Sequence, residues 1–391
     1  MPEGPEVRKY ADELASALEG RKLLSVSART KSAKAWLSVH GSNVAGQTME
    51  RVFAHGKNII GIVSGGMYFY SHQMMWGRWH VIEGDETAVA DRRERARIVV
   101  EGATAILMSA PIFEIGFGDP YENLEYLSAL GPDILAQRFD RKEFESRLKE
   151  PTNLGRTIGD ALLDQRICAG IGNYLRAEIL FAASMDPWMK VGDLSATDVV
   201  ALGKLIPQLS KLSYKQSRTV TGDLQTRMAS DPDLVYVPGK EYGTRHYVFR
   251  RTNLPCLICG EPIRQLRQET TNLSQPQPDE EQKSRIVYFC ARCQHVDPKL
   301  FAGKPMKLPT QTQKIRRTIM RLLTERGAET SICPSEVARA LDPTNWRDLM
   351  PVVRTVADDL MRKKQIITLQ KNVAVKSAAS AKGPIRFALA P

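Results

Sequence analysis

The second residue of this 391-residue chain is a proline that could carry covalent chemistry. Removal of Met1 would leave the secondary amine of Pro2 as the amino terminus. An α-amino group titrates at about pH 7.7–8.0, so much of it is neutral and nucleophilic at physiological pH. The predicted reaction is attack on an aldehyde-like carbon to form a Schiff base. The alternative is that Pro2 only begins a helix.

The segment after Pro2 has the pattern of an amphipathic helix. Apolar residues recur at helical spacing, namely Val7, Tyr10, Ala11, Leu14 and Leu18. Gly20 follows where a helix commonly ends. Glu3 and Glu6 would lie at the positive end of this helix, where carboxylates are stabilised. The sequence therefore predicts a nucleophile and a carboxylic acid at one helix end.

Two CxxC pairs lie in the last third of the chain. They consist of Cys256 with Cys259 and Cys290 with Cys293. Four thiolates at this spacing predict one tetrahedral Zn²⁺ site on a β-hairpin. The metal would be structural, because four thiolates leave no open coordination position. The polar residues 268–284 between the pairs are predicted to form a surface insertion.

Composition favours a basic protein without a membrane partner. The chain has 55 Lys and Arg residues and 44 Asp and Glu residues, a net charge of +11. This charge is compatible with a polyanionic binding partner such as nucleic acid. There is no apolar run long enough to span a membrane and no signal peptide pattern, so the predicted location is cytoplasmic and nucleoid-associated. Disulfides are rare there, and the isolated Cys168 and Cys333 are predicted to be buried.

Residues 158–181 have the pattern of two helices separated by a glycine turn. The apolar positions are Ile158, Ala161, Leu162, Ile167, Leu175, Ile179 and Leu180. Gly170 and Gly172 would allow the backbone to approach a phosphate, and Asn173 could cap the second helix or donate to a phosphate oxygen. An ordinary αα-hairpin explains the same residues, and spacing does not separate the two interpretations.

Four separate stretches resemble the formamidopyrimidine-DNA glycosylase and endonuclease VIII family in order and spacing. They are Pro2 to Glu6, Gly56-Lys57, Leu162 to Tyr174, and Cys256 to Gln294. The resemblance covers about residues 1–296. It implies an α+β multidomain fold with an N-terminal β-sandwich, a helix-two-turn-helix domain and a zinc-finger β-hairpin. It also implies a bifunctional base-excision repair enzyme that acts on damaged double-stranded DNA.

The resemblance assigns roles to individual residues. Pro2 matches the nucleophile that attacks the sugar C1′ of an extruded damaged nucleotide, and Glu3 matches the group that protonates the opening sugar. Glu6 would help to hold this helix end. Lys57 matches a lysine that contacts phosphate and assists β-elimination. Without the resemblance, a solvated strand lysine would be the simpler interpretation of Lys57.

Further matches concern the groups that would hold DNA. Asn173, in the turn with Gly170 and Gly172, matches an asparagine that grips phosphate beside the lesion. Arg285 matches the arginine at the zinc-finger hairpin tip that is needed for DNA binding and for δ-elimination, although Ser284 stands where the family usually has glycine. The zinc would act indirectly, by placing this guanidinium against a phosphate.

The segment 72–79 is the predicted plug for the space that a flipped base leaves. Met74, Met75 and Trp76 would be its wedges, although methionines and aromatics more often form a core. The loop resembles the endonuclease VIII branch more closely, which favours oxidised pyrimidines. Residues 213–246 are predicted to be a long mobile loop that matches no substrate-defining pattern.

The residues after the zinc finger predict a separate winged-helix-like domain. It resembles a small bacterial winged-helix-like family of unknown function, with three helices and a hairpin of residues 366–369 and 373–375. The predicted DNA-binding residues are Arg354, Arg362, Lys363, Lys364 and Lys371. Winged helices also bind proteins, so either a DNA or a protein partner is consistent with the sequence.

These features predict a monomeric DNA glycosylase with AP lyase activity that needs one structural Zn²⁺ and no redox or nucleotide cofactor. The alternatives are an enzyme for oxidised purines and a damaged-DNA-binding protein without chemistry. Intact Pro2, Glu3 and Lys57 argue against the last. The predicted domains are residues 1–130, 131–246, 247–296 and 313–391, with a linker at 297–312. The sequence leaves open whether crosslinks or single-stranded DNA are preferred.

Overall fold

The computed structural model describes residues 2–84, 91–230, 245–271, 284–302, 311–327 and 330–390. The chain forms two compact units. The first consists of Met1–Thr219 with Leu266–Val287, and the second of Val220–Gln265 with Tyr288–Pro391. Each unit is described by itself.

The first unit contains a β-sandwich of two antiparallel four-stranded sheets. One sheet consists of β1 (Leu23–Ala28), β5 (Arg78–Glu83), β6 (Glu94–Val100) and β7 (Ala103–Met108), in the order β1-β6-β7-β5. The other consists of β2 (Met49–His55), β3 (Asn58–Val63), β4 (Met67–His72) and β8 (Ile112–Phe117), in the order β2-β3-β4-β8. Helices α1 (Gly4–Leu18) and α2 (Lys31–His40) accompany these sheets.

Helix α1 and both sheets share one hydrophobic core. The predicted face of α1 is buried there, including Val7, Ala11, Leu14 and Leu18. The helix is followed by Gly20, whose φ of +76° lies in the left-handed region that favours glycine. Every residue of β4 is buried. Helix α1 was predictable because its burial repeats with a helical period.

The remaining helices of the first unit follow the sandwich. They are α3 (Pro120–Asn123), α4 (Glu125–Ser128), α5 (Arg141–Leu148), α6 (Ile158–Ala161), α7 (Asn173–Ala182) and α8 (Ala196–Gln216). The predicted helix from 158 to 167 is too long, because α6 ends after one turn. The Gln165 amide donates to the carbonyls of Leu163 and Ile171 and accepts from the Gly170 N–H. These side-chain bonds satisfy backbone groups outside a helix.

The predicted loop at residues 213–246 is wrong in its first part. Helix α8 continues to Gln216, and Ser213 is buried beside Tyr174, with 3.0 Å between their hydroxyl oxygens. In the second unit, α9 (Gly222–Ser230) places Met228 in a small apolar cluster with Val220. These apolar contacts stabilise helix where polar composition predicted a loop. Residues 231–244 lie outside the described part of the chain.

Strands β9 (Arg264–Gln268) and β10 (Arg285–Phe289) form a two-stranded sheet. The predicted surface insertion at 268–284 begins too early, because Gln268 is buried. Its amide donates to Thr157 Oγ1 at 3.0 Å and to the Pro187 carbonyl at 2.9 Å. Residues 272–283 of the insertion are outside the described residues.

The second unit ends in three helices and a small sheet, as predicted. The elements are α10 (Gln311–Arg326), β11 (Ser331–Ile332), α11 (Pro334–Leu341), α12 (Trp346–Arg362), β12 (Ile366–Gln370), β13 (Val373–Ala374) and β14 (Arg386–Leu389). The sheet order is β11-β14-β12-β13, with antiparallel pairing throughout. Strands β11 and β14 were not predicted, because both are too short to show alternation. The three helices and the sheet enclose their own apolar core.

The two isolated cysteines differ in burial. Cys168 is fully buried, as predicted. Cys333 is only half-buried, because it precedes α11 as its N-cap residue and accepts a hydrogen bond from the Ser335 hydroxyl. Among the described helices, none combines the length and apolar character needed to cross a lipid bilayer.

Candidate active site

Three backbone turns meet in the first unit. The N–H of Gly4, at the start of α1, donates to the carbonyl of Gly170 at 2.9 Å. Gly56, in the turn between β2 and β3, has φ of +59°, and a Cβ there would lie 2.8 Å from the Cβ of Ala169. Gly170 has φ of +115°, and its Cβ would lie 2.7 Å from Ile134. Glycine is therefore required for this close packing.

Glu3 is buried against the N-terminus of α7. Its carboxylate accepts hydrogen bonds from the backbone N–H groups of Gly172 at 2.8 Å, Tyr174 at 2.8 Å and Leu175 at 3.1 Å. A Cβ on Gly172 would lie 2.5 Å from Glu3 Oε1, so only glycine admits the carboxylate. These donors are the groups that a helix N-terminus leaves unpaired. Glu3 therefore caps a helix that is remote from it in sequence.

Burial raises the pKa of Glu3 to about 7. The positive charge of Lys57 and the backbone donors lower this pKa, while the negative charge of Glu6 raises it further. A carboxyl group whose pKa lies near ambient pH can both donate and accept a proton. Pro2, which directly precedes this acid, is half-buried. The predicted nucleophile and acid therefore adjoin one another.

Glu6 connects the first residues of the chain to α7. It accepts a hydrogen bond from the Glu3 N–H at 2.9 Å and another from the Tyr174 hydroxyl at 3.1 Å. Burial raises the pKa of Glu6 as well. Tyr174 was not predicted to take part, since the partner of its hydroxyl lies far away in the sequence.

Lys57 occupies the turn between β2 and β3 and is only 7% exposed. Burial lowers the pKa of its ammonium group to about 8, with Glu3 opposing this shift and Arg285 adding to it. Within the described residues the ammonium group makes no hydrogen bond or ion pair. The alternative of a solvated strand lysine is therefore wrong. Lys57 is a buried cation between an acid and another cation.

Asn173 is the first residue of α7, and Gly172 is its N-cap, so the predicted capping role of Asn173 is wrong. The physical reason is that the Glu3 carboxylate already occupies the N–H groups of this helix end. The side-chain oxygen Oδ1 of Asn173 instead accepts a hydrogen bond from the Arg176 guanidinium at 2.5 Å. Its amide nitrogen has no partner in the described part of the chain, which leaves a half-buried donor at the turn.

Arg176 is fully buried and was not predicted from the sequence. Its Nη2 group, which donates to Asn173, also donates to the backbone carbonyl of Ile286 at 3.0 Å. Ile286 directly follows Arg285 in β10. Its other terminal nitrogen donates to the Gly159 carbonyl at 3.2 Å. Burial lowers the pKa of Arg176 to about 10. One guanidinium thus fixes both Asn173 and the strand that carries Arg285.

Arg285 is the exposed first residue of β10. Its guanidinium makes no hydrogen bond or ion pair with any residue that the structure describes, yet its charge lowers the pKa of both Lys57 and Arg176. Lys57, Asn173 and Arg285 therefore all present donors that have no acceptor among the described residues. Such a group of donors suits an anion.

The predicted wedges form an exposed tip after β4. Met75 is 55% and Trp76 is 77% exposed, whereas Trp79 is buried with its indole N–H donating to Ser71. Met74 is half-buried with φ of +51°, and its N–H donates to His72 Nδ1 at 3.1 Å. Trp79 therefore belongs to the core, as the alternative interpretation proposed, whereas Met75 and Trp76 do not.

His72 and Gln73 were predicted as part of the plug, but both are buried below the tip. Burial, assisted by the charge of Lys57, lowers the pKa of His72 to about 4, so its ring is neutral at pH 7. Because Nδ1 accepts from Met74, the proton is assigned to Nε2. His72 Nε2 and Gln73 Oε1 are buried without partners in the described structure. Such groups are unusual in a protein core.

The second unit contains the thiol cluster. The four sulfur atoms lie within 4.8 Å of one another and belong to Cys256, Cys259, Cys290 and Cys293. The N–H of Gly260, which has φ of +77°, donates to the carbonyl of Cys256, and the N–H of Gln294 donates to the carbonyl of Cys290. A tetrahedral zinc site with bonds of about 2.3 Å needs sulfur atoms about 3.8 Å apart. The donor set therefore fits a structural Zn²⁺.

Comparisons with protein families separate three parts of the chain. Residues 1–110 match the formamidopyrimidine-DNA glycosylase N-terminal domain, and residues 130–221 match the formamidopyrimidine-DNA glycosylase H2TH domain. Residues 312–390 match a family of proteins of unknown function, DUF3253. The extension thus resembles a group to which no activity is assigned.

Two similar proteins are the Endonuclease 8 of Salmonella schwarzengrund (strain CVM19633) and that of Salmonella enteritidis PT4. Each is 33% identical over 296 residues, which are 75% of this chain and 100% of the relative. Among solved structures, the Lactococcus lactis Fpg (MutM) bound to DNA containing N7-benzyl-Fapy-dG is similar in fold. Its TM-score is 0.56 at 20% identity, with 75% of this chain and 99% of the other covered.

The Lactococcus lactis Fpg bound to abasic-site DNA gives the same TM-score of 0.56 at 19% identity, again covering 75% of this chain and 99% of that one. The fold, the buried acid beside residue 2 and the full-length match to the Endonuclease 8 relatives agree. The chain therefore belongs to the formamidopyrimidine-DNA glycosylase and endonuclease VIII family and is a base-excision repair DNA glycosylase with AP lyase activity.

Proposed function

We propose that this enzyme removes oxidised pyrimidines from damaged double-stranded DNA through a Schiff base on the amine of Pro2. The observation that carries the mechanism is the buried carboxyl group of Glu3, which three backbone donors hold beside residue 2. Its pKa of about 7 allows it to give and take protons at neutral pH. Pyrimidine preference is supported by the Endonuclease 8 relatives and by the form of the tip at Met74, Met75 and Trp76.

The proposed chemistry begins with the neutral amine of Pro2. Its lone pair attacks the sugar C1′, the bond from C1′ to the base breaks, and the base leaves with the bonding electrons and a proton. Glu3 protonates the ring oxygen as the sugar opens, which gives an iminium ion. Loss of a C2′ proton then expels the 3′ phosphate by β-elimination, and δ-elimination expels the 5′ phosphate. Water finally hydrolyses the iminium ion, which frees the amine of Pro2.

The unpaired donors around this acid would bind the DNA backbone. Lys57, Asn173 and Arg285 each present a nitrogen that has no acceptor within the described residues. We assign these groups to phosphates that flank the flipped nucleotide. Met74, Met75 and Trp76 would fill the gap in the base stack, where their exposed apolar surface would become buried.

The thiol cluster would hold one Zn²⁺ with a structural role. Bound zinc supplies four metal–sulfur bonds that join the two cysteine pairs. Elemental analysis of the purified protein should give one zinc per chain. Replacing Cys290 with serine should remove the metal and lower the melting temperature, whereas Cys168→Ser should leave the metal content unchanged.

Borohydride trapping on an abasic-site duplex tests the covalent step. The wild type should form a stable protein–DNA adduct, and an N-terminal tag that blocks residue 2 should abolish it. Pro2→Gly replaces the secondary amine with a primary α-amine and should trap DNA more slowly. Pro5→Ala is the matched control, because it changes a proline of the same helix end and leaves the terminal amine free. Absence of an adduct, despite tight binding and confirmed removal of Met1, would favour the damaged-DNA-binding alternative.

Lesion choice is tested separately with thymine glycol and 8-oxoguanine duplexes of the same sequence. Single-turnover base release should be faster from thymine glycol. Faster release from 8-oxoguanine would support the alternative of a formamidopyrimidine-type enzyme for oxidised purines, and it would leave the covalent mechanism intact.

A further inference from the structure

The positive charge of the chain is concentrated in its C-terminal extension. Residues 313–391 contain fifteen Lys and Arg against seven Asp and Glu, a net charge of +8 out of +11 for the whole chain. The first 312 residues are therefore almost neutral, although they contain the glycosylase site. A small domain with this excess of positive charge suits a polyanionic partner.

The extension has the element order of a winged helix. Helix α10 is followed by β11, α11 and α12, and then by β12, β13 and β14. Helices α11 and α12 form the helix-turn-helix, whose second helix lies in the major groove when such domains bind DNA. The buried face of α12, with Val353, Val356 and Leu360, packs in the domain core. The opposite face is left for a partner.

The wing, which we define as residues 371–385, is basic. Residues 371–385 contain three lysines and no acidic residue: Lys371, Lys376 and Lys382. All three are exposed, and within the described residues their ammonium groups form no ion pair. Lys371 and Asn372 turn the chain between β12 and β13 with φ of +49° and +64°. The wing therefore presents positive charge without ion-pair partners among the described residues, at Lys371 on this turn and at Lys376 and Lys382 in the segment between β13 and β14.

Helix α12 holds the wing in place. The Asp358 carboxylate accepts hydrogen bonds from the Ser377 hydroxyl at 2.7 Å and from the Ala378 N–H at 2.5 Å. The Arg354 guanidinium donates to the Ala381 carbonyl at 2.7 Å and to the Gly383 carbonyl at 2.9 Å. Arg354 is thus a positioning residue, which corrects its predicted place on a DNA-binding face. The helix and the wing form one preorganised surface.

The exposed part of this surface includes the first half of α12. Arg347 and Pro351 lie seven and three positions before Arg354, so all three share one helix face. Arg347 and Pro351 are exposed. The guanidinium of Arg347 lies 4.5 Å from the ring centre of Trp346, which orients it.

The other end of α12 is less suited to a polyanion. Asp359 pairs with Lys363 at 3.0 Å, with Arg362 at 3.5 Å and with Arg316. These contacts neutralise part of the charge that Arg362 and Lys363 carry. The two residues were predicted to contact DNA, but the structure favours the wing instead.

We propose that the wing and the first half of α12 form a second duplex-binding site that contacts phosphates without regard to a lesion. We name this surface, defined by Arg347, Lys371, Lys376 and Lys382, the wing surface. Duplex DNA is the partner that fits, because the surface is lysine-rich and the same chain carries a DNA glycosylase site. A tethered second module raises the effective concentration of the enzyme on its substrate.

The test uses the full-length protein and an undamaged duplex of 30 base pairs. The wing variant carries Lys371→Gln, Lys376→Gln and Lys382→Gln. The matched control carries Lys314→Gln, Lys363→Gln and Lys364→Gln, which remove the same charge from exposed positions outside the wing surface. The dissociation constant is measured from 50 to 200 mM salt, and melting temperatures verify that both variants are folded.

The wing variant should bind more weakly, and its logarithmic salt slope should fall by about 0.9 for each phosphate contact removed. The control should keep the slope of the wild type. Equal loss in both variants, or wild-type binding by the wing variant, would overturn the proposal, and the latter result would favour a protein partner. Borohydride trapping at saturating enzyme should be the same for all three proteins, so failure here is distinguishable from failure of the Schiff-base mechanism.

Discussion

Two arginines organise two very different regions of this enzyme. Arg176 in the first unit and Arg354 in the second both donate to backbone carbonyls and fix a neighbouring segment, a strand in the first case and a loop in the second. Arg176 is fully buried in the same unit as Lys57 and Glu3, whose pKa values are shifted to about 8 and about 7. Arg354 is half-buried and holds a loop whose lysines are exposed.

The difference between these regions lies in burial. A buried charged group responds strongly to each neighbour, since nothing but the protein stabilises its charge. Exposed lysines act together through a screened field, and each contributes a small, salt-dependent increment. Substitutions at the active site should therefore have large, specific effects, whereas substitutions on the wing surface should have graded ones.

The largest effect is expected for Glu3→Gln. The amide can neither protonate the sugar nor accept all three backbone N–H groups, so single-turnover base release should fall by about 10²- to 10⁴-fold. Glu122→Gln changes an exposed glutamate of the same unit and should have no effect. A rate within twofold of the wild type would show that Glu3 is not the acid.

A smaller effect is expected for Arg176→Met. Loss of the guanidinium leaves buried carbonyl groups without donors, at a cost of about 1–3 kcal/mol of unfolding free energy each. It also frees Asn173 and the strand of Arg285, so binding to abasic-site DNA should weaken.

Arg147→Met is the matched control for this experiment. Arg147 donates to the carbonyls of Ala129 and Arg166. The variant protein should therefore lose stability without losing DNA affinity. Denaturant unfolding and DNA titration measure the two quantities. Parallel loss of affinity in both variants would contradict a specific positioning role for Arg176.

Trp76→Ala should slow base release by about tenfold. This factor corresponds to the lower part of the range of free energies, about 1–3 kcal/mol, for the stacking of one base on an aromatic side chain. Cleavage of a preformed abasic site should slow less, because the base is already gone. Val39→Ala is the control, since Val39 is 72% exposed on α2 and Trp76 is 77% exposed. Equal slowing of both steps would exclude a wedge.

The smallest predicted effect is a displacement of the pH profile in Lys57→Met. The charge of Lys57 lowers the pKa of Glu3, so its removal should raise that pKa above about 7. Glu3 then keeps its proton to higher pH, and the falling limb of base release should move in the alkaline direction. Lys57→Arg keeps the charge and should keep the limb in place. Movement toward acid would contradict the coupling.

Local patterns predicted the regular elements of this protein. Helix α1, the cysteine pairs and the three helices of the extension each have a spacing that can be read within a short window. The end of α6 and the continuation of α8 were mispredicted, because Gln165 and Ser213 form contacts that periodicity does not encode. The domain boundaries and the lesion preference stay predictions.

The site was only partly predictable, for a related reason. The structure buries both Glu3 and Lys57, whose charges shift each other's pKa, and the resemblance did not indicate this burial or the capping of α7 by Glu3. The contributions of Arg176 and Arg354 were missed or misassigned, since each arginine acts through carbonyl groups. Backbone acceptors occur at every residue and leave no signature in a sequence.

The capping of α7 by Glu3 also sets when the enzyme can become active during its synthesis. The donors at Gly172 and Leu175 follow Glu3 by 169 and 172 residues. At typical translation rates this separation takes on the order of 10–30 s. A nascent chain can therefore carry a processed amino terminus while its acid still titrates as an ordinary glutamate. Glu3 acquires its raised pKa only when the helix that completes the site has been made.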